Sequence, residues 1–120
     1  MADVEATIER WFTALNEPDG SRRAPLVEQT WAVDGRWVDP PFEGEGHSGI
    51  NEMVETVYQH YPDHRFRRSS GIDTHHDSVR VAWELVSPDG DVVLAGTDVG
   101  LLDGAGRLTR VTGFFGPLPA

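Results

Sequence analysis

The 120-residue chain has no cysteine, so neither a disulfide nor a thiolate metal site is open to it. That composition fits a reducing, cytoplasmic compartment. Lysine is absent too: all ten basic residues are arginine, as a GC-rich genome would encode. Twenty acids oppose them, for a formal charge of −10. Nucleic acid and anionic membrane surfaces are therefore not expected as partners, because phosphate contacts need a basic face. The acidity reads as surface solubility. No apolar run approaches the ~20 residues of a membrane-spanning helix. The start, Met1-Ala2-Asp3-Val4-Glu5, lacks the basic and apolar regions of a signal peptide. Dinucleotide, Walker and Ser/His/Asp patterns are missing, as are repeats and low-complexity segments.

What is present has the size of one domain, expected to span residues 1–120. Val4, Ile8, Trp11, Phe12 and Leu15 mark one face of a helix, with Asp3 as N-cap and Asn16-Glu-Pro-Asp-Gly20 as its stop. A second short helix is expected after Ser21, with Pro25 in its first turn. Asp34-Gly35 reads as a turn before a short strand, 36–38. The segment 39–47, with two prolines and two glycines, reads as loop throughout. Ser48 is the expected cap of a third helix, which Pro62 ends. The apolar period then switches from about 3.6 to about 2. Strands are expected near 65–73, 78–87, 91–102 and 107–115, joined by turns at 87–90 and 103–106 and a weaker one at 75–77. Helices followed by a run of strands define an α+β fold with the helices on one sheet face.

Two stretches resemble the NTF2-like superfamily, and within it the ketosteroid isomerases and SnoaL-like polyketide cyclases. One is Trp31 through Asp39-Pro-Pro-Phe42, followed by Gly-His-Ser-Gly-Ile50 opening a helix. The other is Gly96-Thr-Asp98-Val-Gly through Thr112-Gly-Phe-Phe115. The resemblance covers nearly the whole chain. It implies a cone-shaped, cystatin-like roll, with three N-terminal helices on a curved, mainly antiparallel sheet. It also implies a homodimer through the outer sheet face, and a cofactor-free site for a small hydrophobic molecule. Asp39 falls where the isomerases keep a general base. Asp98 falls where they keep a protonated aspartic acid, a case that serves as a general illustration of a carboxylic acid held neutral. Trp11 stands in place of the oxyanion-donating tyrosine, and Trp31 in place of a supporting one. An indole gives one N–H but is larger and aimed differently, a departure that points away from a steroid.

The residues support those roles on their own terms. On one strand, Leu94, Gly96, Asp98, Gly100 and Leu102 share a face, and the opposite face is also apolar. That is the pattern of a strand covered on both sides. A carboxyl group there is pushed towards its neutral form, able to donate a hydrogen bond or a proton to an oxyanion. Asp39 lies among Trp37, Pro40, Pro41 and Phe42, in a stiff loop with few solvating N–H groups. Two alternatives stand beside these. Asp39 could initiate a turn, and Asp98 could pair with Arg80 or Arg110.

Trp11, Phe42, Val81, Trp83 and Phe115 are the expected pocket walls, and Gly113 leaves room beside Phe115. His64 is placed at the pocket rim as a candidate proton carrier, or else on the surface. No metal site is expected: His75 and His76 point to opposite faces, and Pro62 separates His60 from His64. Arg65, Arg67 and Arg68 would suit an anionic ligand or offset the acidic surface. Two functional classes follow. One is an acid–base enzyme of isomerase, cyclase or epoxide-opening type on a hydrophobic carbonyl compound or epoxide. The other is a non-catalytic ligand-binding or dimerisation module.

Overall fold

The computed structural model describes residues 3–120; Met1 and Ala2, the head of the acidic N-terminal stretch, lie outside the described residues. Helix α1 spans Val4–Leu15, with the Asp3 carboxylate accepting from the Ala6 N–H. Its apolar face buries Ile8, Trp11 and Leu15. Asn16 then pins the helix end to the sheet. Its side-chain amide donates to the Phe66 carbonyl at 2.8 Å and accepts from the Phe66 N–H at 2.7 Å.

Helix α2, Gly20–Thr30, starts earlier than expected because Asp19 caps it, accepting from the Ser21 N–H at 2.9 Å. Pro25 therefore lies in the second turn, not the first. Its exposed ring faces water, where the lost backbone bond is least costly.

The expected turn at Asp34-Gly35 is instead an irregularity inside one long strand, β1, Trp31–Val38. Gly35 is required there: a Cβ would come 2.5 Å from the Trp31 ring and 3.1 Å from the Ala32 carbonyl. The loop expected over 39–47 is also shorter than its prolines suggested. Asp39 and Phe42 face each other across a tight turn, with Asp39 N–H donating to Phe42 at 2.8 Å and Phe42 N–H returning at 3.3 Å. Pro40 and Pro41 fill the two loop positions, where no N–H is needed. Pairing resumes at once in β2, Glu43–Glu45. Helix α3, Gly46–His60, follows directly, with Glu45 rather than Ser48 at its N-cap.

The segment expected as one strand over 65–73 splits into β3, Arg65–Arg68, and β4, Asp73–His75. Both pair with β5, Ser78–Val86. Between them the Ser70 hydroxyl, instead of a carbonyl, accepts the Ala82 N–H. Strands β6, Val92–Leu102, and β7, Leu108–Phe115, complete the meander.

The sheet is one curved, mixed, seven-stranded layer in the order β2-β1-β7-β6-β5-β3, with β4 also on β5. Among the described residues only the β1–β7 pair is parallel. The helices cover one face, where Trp31, Trp37, Val81, Trp83, Leu108 and Val111 are buried with Val27, Ile50 and Val54. The expectation that β6 is covered on both sides does not hold within one chain. Val93, Val99 and Leu101 alternate outward and are exposed, because no helix crosses to that side. Among the described residues no helix is long and apolar enough to cross a membrane.

Arg23 was not foreseen as part of the core. It is fully buried where the helices meet, and every bond it makes is to a helix or its flanks. Its guanidinium donates to the carbonyls of Glu17, Pro18 and Asn51, to the Asn51 side chain at 2.8 Å and to Glu55 at 3.4 Å. A buried charge is tolerated when its donors are used in this way.

Candidate active site

Strand register brings Asp39 and Asp98 together from distant parts of the chain. Strand β1 runs parallel to β7 with Val38 opposite Thr112, so the next residue, Asp39, falls beside Gly113. Strand β6 runs antiparallel to β7 with Asp98 opposite Gly113, and β5 places Val81 opposite Asp98. One row across the sheet thus reads Asp39, Gly113, Asp98, Val81. The neighbouring row reads Phe115, Gly96, Trp83.

The room at Gly113 belongs to the carboxyl groups. A Cβ on Gly113 would lie 3.1 Å from Asp39 Cγ and 3.0 Å from Asp98 Oδ1. Two atoms that close to one point are no more than about 6 Å apart. Gly113 is therefore the shared floor of an acid pair, a role the sequence hinted at only through an isolated glycine in a strand.

Asp98 is 8% exposed, and its Oδ1 accepts from the Trp83 indole N–H at 3.0 Å. Neither arginine considered as its ion partner reaches it. Arg80 pairs with Asp73 at 2.7 Å, and Arg110 donates to the Thr112 hydroxyl at 3.3 Å. Both arginines are exposed, and alternation puts them opposite the buried face that Asp98 occupies. Asp39 is half-buried, and its Oδ1 is sealed from water with no hydrogen-bond partner.

These surroundings hold the two groups at different acidities. Burial pushes Asp39 up to about 6, offset in part by the nearby Trp37 indole. The Trp37 N–H lies near Asp39 but closes no hydrogen bond of ordinary geometry with it. Burial also pushes Asp98 up, to about 8, with the Asp39 charge adding to the rise and the Trp83 N–H opposing it. The asymmetry has two causes: Asp98 is the more deeply buried of the two, and it must ionise beside an Asp39 that is already charged. Near neutral pH the pair is one carboxylate and one carboxylic acid.

The expected pocket walls are placed as follows. Val81 and Trp83 flank Asp98 on the buried face, and Phe115 packs edge-on against Trp83 at 5.7 Å. Phe42 is half-buried and follows Asp39 in its turn. Trp11 is sealed, edge-to-face with Trp31 at 5.3 Å and Trp37 at 5.1 Å. All three of those indole N–H groups are buried without a protein acceptor. Trp11, Trp31 and Trp37 thus form one sealed edge-to-face cluster. The broad surface hollows lie elsewhere. One of about 500 Å³ is bordered by Asp63, Arg65, Phe66 and Arg67.

His64 is not brought to the carboxyl groups. Its Nδ1 meets the Pro62 carbonyl at 2.9 Å and its ring packs on Tyr61, next to the edge strand β3. The pairing at β3 explains this, because β7 and β1 lie beyond β5 and β6.

With this geometry in place, comparison with known proteins identifies the class. A SnoaL-like family protein from Agrobacterium tumefaciens, provisionally assigned as an isomerase, is 42% identical over 93% of this chain and 96% of its own, with a TM-score of 0.89. The chain belongs to the SnoaL-like family. An NTF2-like protein of unknown function from an Exiguobacterium species has a TM-score of 0.73 at 19% identity, covering 93% of this chain and 99% of its own. A protein from Sinorhizobium meliloti, provisionally named a polyketide cyclase, has a TM-score of 0.72 at 14% identity, covering 91% and 94%. These last two share the fold. No protein-family model and no curated protein matches the chain.

Proposed function

We propose that this protein is a cofactor-free acid–base enzyme of the isomerase or cyclase type, acting on a small hydrophobic carbonyl compound. One observation carries the reading: two carboxyl groups converge over Gly113 in an apolar interior, where burial raises both and Asp98 further than Asp39. Asp39 removes a proton from the carbon next to the carbonyl, and Asp98 donates to the oxygen on which charge develops. The same pair suits hydrolytic opening of an epoxide: Asp39 takes a proton from the water that attacks carbon as the C–O bond breaks, and Asp98 protonates the departing oxygen. The buried N–H of Trp11 is an unused donor. Phe42 and Phe115, half-buried beside the pair, are the side chains that would have to yield to admit a substrate. The 42% identical relative with its isomerase assignment supports this class of reaction.

Deuterium exchange tests it. Hydrophobic ketones incubated with the protein in D₂O should take up deuterium next to the carbonyl, followed by NMR. Asp39→Asn should slow uptake by about 10²-fold or more. No uptake across a broad panel, or uptake unaffected by both Asp39→Asn and Asp98→Asn, would eliminate the enzyme.

The tightness of the tryptophan cluster favours a second reading, a non-catalytic module whose interior is plain core. It predicts that neither substitution changes ligand binding. In both readings the chain forms a homodimer through the outer sheet face, where Val93, Val99, Leu101 and Phe114 are exposed.

A further inference from the structure

Of the four tryptophans, Trp83 alone among the described residues gives its indole N–H to a protein acceptor, and that acceptor is Asp98. The sheet is shaped to hold the ring there. Trp83 stands opposite Gly96, where a Cβ would come 2.7 Å from Cζ2 and 3.0 Å from Cε2 of the indole. Gly96 is thus a slot that lets the ring lie along β6 and reach the residue two positions on. Phe66 at 5.9 Å and Phe115 at 5.7 Å hold the ring edge-to-face. An indole N–H can only donate. It therefore fixes Oδ1 of Asp98 as an acceptor in either protonation state.

We propose that Trp83 is the positioning residue of this site: it commits Asp98 Oδ1 to accepting, so that Oδ2 is the oxygen that carries and delivers the acid proton. This rests on the acid–base reading of Asp98. In the enol-forming half of a turnover the carbon-bound proton passes to the Asp39 carboxylate while the Oδ2 proton passes to the substrate oxygen. Asp98 is then ionised, and the Trp83 N–H holds a charged acceptor, a stronger bond than before. In the second half Asp39 returns its proton to carbon and the oxygen proton returns to Oδ2, which restores both groups. The charged group facing Asp98 is Asp39, from the β1–β2 turn; β5 contributes Trp83 and Val81, and β7 contributes the side-chain-free Gly113.

NMR titration of the ligand-free protein tests this without a substrate. The Trp83 indole ¹H–¹⁵N signal should shift with the same midpoint as the Asp98 carboxyl carbon. In Asp98→Asn that signal should remain but lose its pH dependence at this midpoint. In Trp83→Phe the Asp98 midpoint should rise by about one pH unit, a tenfold fall in its dissociation constant, because the charged form loses its donor. A Trp83 signal that ignores Asp98, or an unmoved midpoint in folded Trp83→Phe, would overturn the proposal. The wild-type titration alone decides the matter if Trp83→Phe does not fold. If the linkage holds while Asp98→Asn leaves deuterium exchange intact, the positioning stands and the catalytic reading falls. If the linkage fails while Asp98→Asn abolishes exchange, the reverse is true.

Discussion

Replacing Asp98 by Asn should make the protein more stable in alkaline solution. The native carboxyl group titrates at about 8, against 3.8 for an ordinary aspartate. The folded state therefore binds the Asp98 proton more tightly than the unfolded state. Stability from this group is fully present below the unfolded value and drains away as pH rises to the folded one. Each tenfold difference in proton affinity corresponds to about 1.4 kcal/mol. Between about pH 5 and about pH 9 the wild type should lose about 4 kcal/mol through Asp98 alone. Asparagine imitates the neutral acid: its carbonyl can accept from Trp83, and its amide can donate where Oδ2 did. Urea denaturation of both proteins at the two pH values measures the difference. The stability gap should widen by that amount in favour of Asp98→Asn on going to the higher pH. Parallel pH dependences in the two proteins would show that Asp98 ionises without penalty, and the argument from burial would fail.

Activity should follow a bell-shaped pH profile, rising as Asp39 ionises near 6 and falling as Asp98 loses its proton near 8, measured as the rate of deuterium exchange. Gly113→Ala should cost about 1–3 kcal/mol by denaturation and abolish exchange, since the added methyl displaces both carboxyl groups. Arg23→Ala should destabilise by about 3 kcal/mol by leaving buried carbonyls of the helix junction unpaired, while the Asp39 and Asp98 titrations stay in place. Light scattering should return the mass of two chains, and an outward charge at Leu101 should return one.

Much of the scaffold is local chemistry and was legible in the sequence. The period of Val4, Ile8, Trp11 and Leu15 defines α1 whatever surrounds it. The turns at Ser87–Gly90 and Asp103–Gly106 define the β5–β6 and β6–β7 hairpins, because glycines Gly90 and Gly106 adopt the positive φ values that other residues resist. Pro40 and Pro41 misled because composition cannot tell a whole loop from the two loop positions of a hairpin. Arg23 gave no signal at all, since the carbonyls that satisfy it come both from the α1–α2 connection and from Asn51 on α3.

The sequence by itself determined that Asp98 would lie on an apolar strand and Asp39 in a stiff turn, because alternation and proline act on neighbours. Only the tertiary structure decided that the two would meet. That meeting needs β1 to pair in parallel with β7, a contact between strands more than sixty residues apart, with no turn to announce it. It needs Gly113 between them, where any side chain would stand in the way of both. Tertiary packing also decided that Trp83, rather than an arginine, would hold Asp98, since side-chain direction on neighbouring strands turned Arg80 and Arg110 to water and the indole inward.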